Sequence, residues 1–390
     1  MSRIPITGIG VVAPGAIGID AFRPLLESGA TAITAVERFD TSGLSRHSAA
    51  LIRDFNAREF INPMKMRRMN TLSRYALSAA KLALRDAGIE TLDPATGVAI
   101  GTAFGPVQTS VEYMQEYVEK GAALAPPQLF AESVANAPGS HIAIELGLRG
   151  FNITVTQRES SALAAAMYAS SQIAKGAAPA ALIGGVEEIN EMIFSVLDRI
   201  GALGEVSRPF DKGRNGLVMG EGAAVLIAGG AGKPYAWLSG FGIARDTSAS
   251  ISDWGVQHAA VVAAMQAAID DAGIEAHDIG AVYASANSTL RGDALEARAI
   301  HQLFGGEIPV VATKGCFGEY AAGGALPIAA ACIALRDQVV HPSAGFESGD
   351  EAPRIEVMRE KRSMRLDHLI VNSVSAGGGI VSAVLSRESA

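Results

Sequence analysis

Two stretches of this chain repeat each other in the same order, and that repetition narrows the possible folds more than any other feature. Ile6-Thr-Gly-Ile-Gly-Val-Val12 is echoed by Leu238-Ser-Gly-Phe-Gly-Ile-Ala244. Further on, Ala76-Leu-Ser-Ala-Ala-Lys-Leu-Ala-Leu-Arg-Asp-Ala-Gly-Ile-Glu90 is echoed by Val261-Val-Ala-Ala-Met-Gln-Ala-Ala-Ile-Asp-Asp-Ala-Gly-Ile-Glu275. Both segments read as helices, and both end in Asp-Ala-Gly-Ile-Glu, whose glycine supplies the left-handed conformation that closes a helix. A short apolar strand candidate follows each, Gly97–Ile100 in the first case and Ala281–Ala284 in the second. Strand, helix and strand in that order predict a parallel sheet with right-handed crossovers. Chance likeness between two alanine-rich helices is the competing explanation, and two landmarks matched in order argue against it. We expect an N-terminal half over residues 1–230 and a C-terminal half over residues 231–390, divided where Gly229-Gly-Ala-Gly-Lys-Pro-Tyr235 interrupts the pattern.

A length of 390 residues suffices for one large or two medium domains with a sizeable core. Hydrophobic residues make up 49% and charged residues 18%, with 43 glycines, the composition of a compact α/β protein. A net charge of −8 with no basic stripe speaks against nucleic acid as a partner, although a local Lys/Arg patch would still serve an acidic protein. Cys316 and Cys332 provide no disulfide framework and suit a reducing compartment. We expect both as small core hydrophobes. Met1-Ser-Arg-Ile-Pro-Ile-Thr-Gly8 enters a strand at once and lacks a signal-peptide pattern, and apolar stretches such as Ala321–Ala334 are broken by Gly and Pro. The expectation is a cytoplasmic protein with no membrane contact. Gly8-Ile-Gly10 runs into Val11-Val-Ala-Pro14 and not into a phosphate-binding helix, so it does not read as a dinucleotide site. No His/Cys/Asp cluster has metal-ligand spacing, and no metal or bound cofactor is expected.

The motifs that remain resemble the type II β-ketoacyl-[acyl-carrier-protein] synthase family from end to end. Thr7-Gly-Ile-Gly-Val-Val-Ala-Pro14 matches its opening strand and turn, Arg74-Tyr-Ala-Leu77 its first long helix, and Gly184-Gly-Val-Glu-Glu188 a strand end. The most specific match is Arg208-Pro-Phe-Asp-Lys-Gly-Arg-Asn-Gly-Leu-Val-Met-Gly-Glu-Gly-Ala223, and Asn372-Ser-Val-Ser-Ala-Gly-Gly-Gly379 corresponds to a glycine-rich turn near the C-terminus. The resemblance implies a thiolase-like α/β fold, two repeated halves in five layers, α-β-α-β-α.

The chemistry of that family does not carry over. Asn152-Ile-Thr-Val-Thr-Gln-Arg-Glu-Ser-Ser-Ala-Leu163 reads as a buried strand, a sharp turn and a helix start. The family's turn presents a cysteine thiolate, whereas this chain has Glu159, which cannot form the thioester on which that route of acyl transfer depends. The two histidines that stabilise the developing enolate and oxyanion are also replaced. Ala284-Ser-Ala-Asn-Ser-Thr289 has Ser285 at the first position, and Thr313-Lys-Gly-Cys-Phe-Gly-Glu319 keeps Lys314 but ends in Glu319 at the second. Ala376 occupies the aromatic gate position, Val374 a second aromatic position, and Ile328 that of a downstream carboxylate. Three readings of Glu159 stand open. Its charge is held by the following helix N-terminus, or it pairs with Arg158, Lys314 or a partner-subunit residue, or it acts as a general base. Lys314 is expected to neutralise Glu319 or Glu159, since an unpaired buried charge is costly. Ser285 beside Lys314 is a weaker candidate nucleophile.

Residues 106–141 form an insertion, with Val107–Tyr117 and Phe130–Asn136 reading as helices joined by Gly121-Ala-Ala-Leu-Ala-Pro-Pro127. In the family this region reaches the dimer interface and the acyl tunnel, which makes Tyr113, Met114, Tyr117 and Phe130 candidates for measuring a chain; ordinary core and loop is the alternative. The site pattern is most similar to a chain-length factor, the KSβ subunit of type II polyketide or polyene synthases. Glutamine is common at the elbow of those subunits, so Glu159 is a departure from their pattern. The resemblance implies a catalytically silent subunit paired with an active ketosynthase through antiparallel Asn152–Gln157 strands, serving acyl-carrier-protein phosphopantetheine thioesters. The alternatives are a stand-alone decarboxylase, hydrolase or non-thioester acyltransferase with a pocket rebuilt from Glu159, Ser285, Glu319 and Lys314, and a homodimeric acyl-binding protein without turnover.

Overall fold

A computed structural model describes residues 3–320 and 324–387. Met1 and Ser2, and the first three residues of the Ala321–Ala334 stretch, lie outside the described residues. Ten strands form two five-stranded arrays of the same topology. In the first, taken in chain order, the strands are Ile4–Ala13, Gly97–Gly101, Asn152–Val155, Ala180–Glu187 and Gly222–Gly229. In the second they are Ala236–Arg245, Ile279–Tyr283, Pro309–Val311, His368–Val374 and Gly379–Ser386. Each array runs from its third strand through the second, fourth, fifth and first, and in the second array the short strand Glu356–Val357 pairs parallel on the outer side of the third. The directions match as well, with the third, second and fourth strands parallel and the fourth, fifth and first antiparallel. The first strands join the arrays edge to edge, Ile4 opposite Leu238 and Ile6 opposite Ala236. A wholly parallel sheet, as the strand–helix–strand order suggested, is therefore not what forms. The first and second strands of each array run the same way but are not neighbours, because the antiparallel pair of fourth and fifth strands inserts between them.

The repeated sequence landmarks explain how each array is covered. A Cβ at Gly8 or Gly10 would collide with the carbonyl oxygens of Ala83 and Ala79 on the helix Thr71–Ala87, and one at Gly240 or Gly242 with those of Ala268 and Ala264 on the helix His258–Ala272. The Gly-x-Gly pairs thus let a helix backbone lie directly on the strand. Asp86 Oδ2 accepts from the Ile9 N–H at 2.8 Å, and Asp271 Oδ2 accepts from the Phe241 N–H at 3.0 Å. The aspartate of each Asp-Ala-Gly motif thereby fixes the register of its helix on its strand. Gly88 and Gly273 close the two helices at φ 68°.

Five layers follow. The helices Ser161–Ala174 and Ala325–Asp337 lie in the central apolar layer with strand residues of both arrays, among them Ile183, Leu226, Val371 and Ala383. Alternate residues of the same strands face outward. Val225 and Ile227 pack beneath Thr71–Ala87, while Ile370 and Val384 pack beneath His258–Ala272 and Leu290–Phe304. The fold is the thiolase-like α/β arrangement that the resemblance implied. Cys316 and Cys332 are buried in the central layer with free thiols, and burial pushes the Cys316 thiol up to about 12. Among the described residues no helix is long and apolar enough to cross a membrane. The insertion differs from expectation at its second helix, which spans Pro127–Glu132, with a further helix over Ala137–Leu146, whereas the first runs on to Lys120. Pro126 and Pro127 start the second helix early because proline fits a first helical turn.

Candidate functional site

The strand Asn152–Val155 leads into a single turn of 3-10 helix, Arg158–Ser160, and then into the helix Ser161–Ala174. Arg158 adopts φ 48°, a left-handed conformation unusual for a residue with a side chain, and this sharp elbow turns Glu159 into the protein. The elbow is clamped by the glycine-rich turn near the C-terminus. Ser373 Oγ donates to the Glu159 carbonyl at 2.5 Å, Ser375 Oγ accepts from the Ser160 N–H at 2.9 Å, and the Ser160 and Ser375 hydroxyls lie 2.6 Å apart. Glu159 is buried, and its Oε2 accepts from the Ala376 N–H at 3.1 Å. Its carboxyl is pushed up to about 7, first by loss of water and next by the negative charge of Glu319, against the opposing pull of Lys314 and Arg158.

Glu319 is held separately. Lys314 Nζ donates to Glu319 Oε2 at 2.7 Å, and the Asn287 side-chain amide donates to the same oxygen at 2.6 Å. Both side chains of this ion pair are almost wholly enclosed, 6% and 4% exposed, so each charge depends on the other. Glu319 Oε1 is buried without a hydrogen-bond partner among the described residues. A void of about 10 Å³, bordered by Lys314, Phe317, Tyr320 and Pro327, has room for roughly one water molecule. Ser285 is buried on the far side of the same loop system, where its Oγ accepts from the Val374 N–H at 2.9 Å.

The fold and an elbow without a thiol frame the comparison with known proteins. Residues 1–229 match the family described as the beta-ketoacyl synthase N-terminal domain, and residues 235–347 match its C-terminal domain. The chain belongs to the β-ketoacyl synthase family. It is 30% identical over 412 residues to the 3-oxoacyl-[acyl-carrier-protein] synthase 2 of Vibrio harveyi, covering 99% of this chain and 98% of that one. A crystal structure of a beta-ketoacyl synthase from Burkholderia phymatum is 26% identical, with a TM-score of 0.91 and full coverage of both chains. The ishigamide ketosynthase/chain length factor shares the fold at a TM-score of 0.93 and 24% identity, over 99% of each chain.

Within this β-ketoacyl synthase homologue, the residues singled out from sequence fall into two groups. Glu159, Lys314, Glu319 and Ala376 share one electrostatic and hydrogen-bonded neighbourhood. The expected stabilisation of Glu159 by the helix N-terminus is replaced by the Ala376 N–H, because the 3-10 turn separates Glu159 from the first helical residue, Ser161. Lys314 pairs with Glu319, and among the described residues no ion pair joins it to Glu159. Arg158 forms none with Glu159 either. A serine–lysine dyad does not form, since the Ser285 hydroxyl is engaged by the Val374 backbone. Tyr113, Met114, Tyr117 and Phe130 lie apart on the insertion. Tyr113 sits between the rings of Tyr117 and Phe130, and Met114, Tyr117 and Phe130 are exposed on the surface of this chain.

Several contributors escaped the sequence reading. Asp293 Oδ2 accepts from the Phe210 and Ser288 N–H groups at 2.7 and 3.1 Å, and its Oδ1 accepts from the Asn287 N–H at 2.9 Å. Glu296 Oε1 accepts from the Ser285 N–H at 2.9 Å and from the Asn372 amide at 3.1 Å. These two acids hold the loop that carries Ser285 and Asn287, and burial raises them to about 6 and about 7. Their spacing of three on a helix, beside Leu295 and Ala299, was the available signal, because an acid on the apolar face of a helix needs a buried donor.

Proposed function

We propose that this chain is a non-condensing ketosynthase homologue that acts as a chain-length factor, pairing with an active ketosynthase that elongates acyl chains held on a carrier protein. One observation carries the reading. The elbow that would expose a nucleophile presents a carboxyl group, and its second-half counterparts are a serine bonded to backbone and a glutamate locked to a lysine. No group there forms an acyl thioester or supplies the paired imidazoles of condensation. The Vibrio harveyi relative is named for action on acyl-carrier-protein substrates, and the same carrier is the proposed substrate holder here.

Two surface features support a partner. The strand Asn152–Val155 ends the sheet with one neighbour only, leaving a ladder of backbone groups open to pairing, and Thr154 Oγ1 is buried there without a partner. On a chain of net charge −8, Arg58, Arg67 and Arg68 are exposed on the segments flanking the short helix Pro63–Met66, cations suited to an acidic carrier protein. Tyr113, Met114, Tyr117 and Phe130 are proposed to reach the partner's product tunnel.

A second reading has its own observation. Glu159 titrates near neutrality in an enclosed polar site, as a general base does, which fits a rebuilt decarboxylase or hydrolase. Co-expression with an intact Cys-His-His ketosynthase separates the two. The chain-length reading expects a stable heterodimer, no covalent acyl adduct on this chain by mass spectrometry, activity within a few-fold of parent for Glu159→Ala, and altered product length for bulky changes at Met114 or Tyr117. Turnover by this chain alone, abolished by Glu159→Ala with folding intact, would establish the second reading instead.

A further inference from the structure

Away from the elbow, a cleft of about 630 Å³ opens between the helix Leu290–Phe304 and the segment 349–357. Its volume lies in the range of small-molecule sites, roughly 300–1,000 Å³. Phe210, Phe346, Ile355 and Val357 provide apolar walls. The charged lining is Arg214, Arg298 and Arg354 against Asp293, Asp350 and Glu351.

These charges balance in number, three against three, but differ in how they are engaged. Arg214 is buried and donates through Nη2 to Asp350 at 2.8 Å and through Nη1 to the Asp211 carbonyl at 2.8 Å, so the Asp350 charge is already answered. Asp293 is satisfied by three backbone N–H groups. Arg298 and Arg354 remain exposed with no side-chain hydrogen bond or ion pair among the described residues. Deeper in, Arg214 Nε is buried and has no acceptor, although its side chain is only 5% exposed. Two free guanidiniums in a cleft partly walled by phenylalanines suit an anionic head group on an apolar body.

We propose that this cleft binds a small organic anion, a carboxylate or a phosphate monoester on an aromatic or aliphatic body, through Arg298 and Arg354. The site is distinct from the elbow and stands whether or not the chain works with a ketosynthase. It is nevertheless connected to it, since the cleft's Asp293 holds the backbone of Asn287, whose amide donates to Glu319.

Isothermal titration calorimetry on the full chain tests this with naphthyl phosphate, naphthoate and uncharged naphthol. Saturable binding of one equivalent of an anion is expected, with naphthol at least about ten-fold weaker, because the charge-assisted hydrogen bonds are then missing. The anion that binds more tightly identifies the head group. The double variant Arg298→Ala with Arg354→Ala should keep the parent's melting temperature, both side chains being exposed, and lose about ten-fold or more in affinity. Naphthol binding as well as the anions, an unchanged affinity in the double variant, or no saturation by either anion at millimolar concentration would each overturn the proposal.

Discussion

Glu159 replaces a nucleophile with a group whose charge the protein does not welcome, and its titration is the direct probe of that environment. Its carboxyl sits at about 7 when folded against 4.5 for the free group, so the folded chain holds this proton more tightly than the unfolded chain. The stability that goes with it is complete below about pH 4.5 and is lost as the pH rises through 7. Glu159→Gln keeps the hydrogen-bonding shape and removes the titration. In urea unfolding at stepped pH, the variant should match its parent near pH 4.5 and exceed it by about 3 kcal/mol at pH 8, a shift of 2.5 units at about 1.36 kcal/mol each. A difference that does not change with pH would mean that Glu159 is ionised throughout. Lys314 makes a complementary case. Lys314→Met leaves Glu319 enclosed without its cation and should cost about 3–5 kcal/mol, whereas Lys314→Met combined with Glu319→Leu should recover most of that loss. Equal losses in the single and double variants would show that the ion pair is not the controlling interaction.

At the scale of elements, the Gly-x-Gly strands are where the two halves can be tested against each other. Gly10→Ala and Gly242→Ala each push a methyl group into a helix carbonyl oxygen, and each should destabilise the protein by about 3 kcal/mol, with neither half spared, as measured by chemical denaturation. A neutral result in one half would break the equivalence of the repeats. These elements were legible in the sequence because one cause produced every signal. Gly-x-Gly, the aspartate of Asp-Ala-Gly and the terminal glycine all serve the seating of one helix on one strand, so they recur together. The elbow was legible as well, since Asn152–Val155 runs into polar residues and an alanine-rich helix, but the strand expected to be buried is exposed at Asn152 and half-buried beyond it, because it forms the sheet edge. Long-range partnerships were not. Nothing in the spacing shows that Ala376 lends its N–H to Glu159 across 217 positions, or that Val374 takes up the Ser285 hydroxyl across 89. The first contact joins the two halves, and the second joins the ends of two neighbouring strands of the second array that are far apart in the chain. The antiparallel pair that separates the first and second strands was also hidden, because order along the chain gives strand direction but not adjacency.

The whole molecule carries an unusual load of enclosed carboxyl groups, and its response to pH follows from their sum. Burial raises Glu187 to about 8, Glu159, Glu188 and Glu296 to about 7, and Asp293 to about 6. Each contributes stability that is complete below its unfolded value and lost as the pH climbs through its folded one. Other groups act in the opposite sense. Backbone and side-chain hydrogen bonds hold Asp211 and Asp246 below the usual carboxylate range against the cost of burial, and Lys65 and Lys81 do the same for Glu145. Their stabilisation is present above about pH 4.5 and disappears in acid. His341, lowered to about 4 by burial, likewise favours folding above 6.5 and withdraws that support as the pH falls towards 4. Between pH 5 and 8 the five raised acids outnumber this histidine, so the net slope is downward. Calorimetric melting should therefore peak on the acidic side of neutrality, near pH 5, and lose at least about 3 kcal/mol by pH 8.5, the amount expected of Glu159 alone. A melting temperature that rises steadily up to pH 8 would mean that water or a bound partner group reaches these acids and holds them ionised. Repeating the scan with the co-expressed ketosynthase then assigns the source. If pairing encloses the elbow and the Asn152–Val155 edge further, the downward slope steepens in the complex, whereas a flattened slope would place cationic groups of the partner against Glu159.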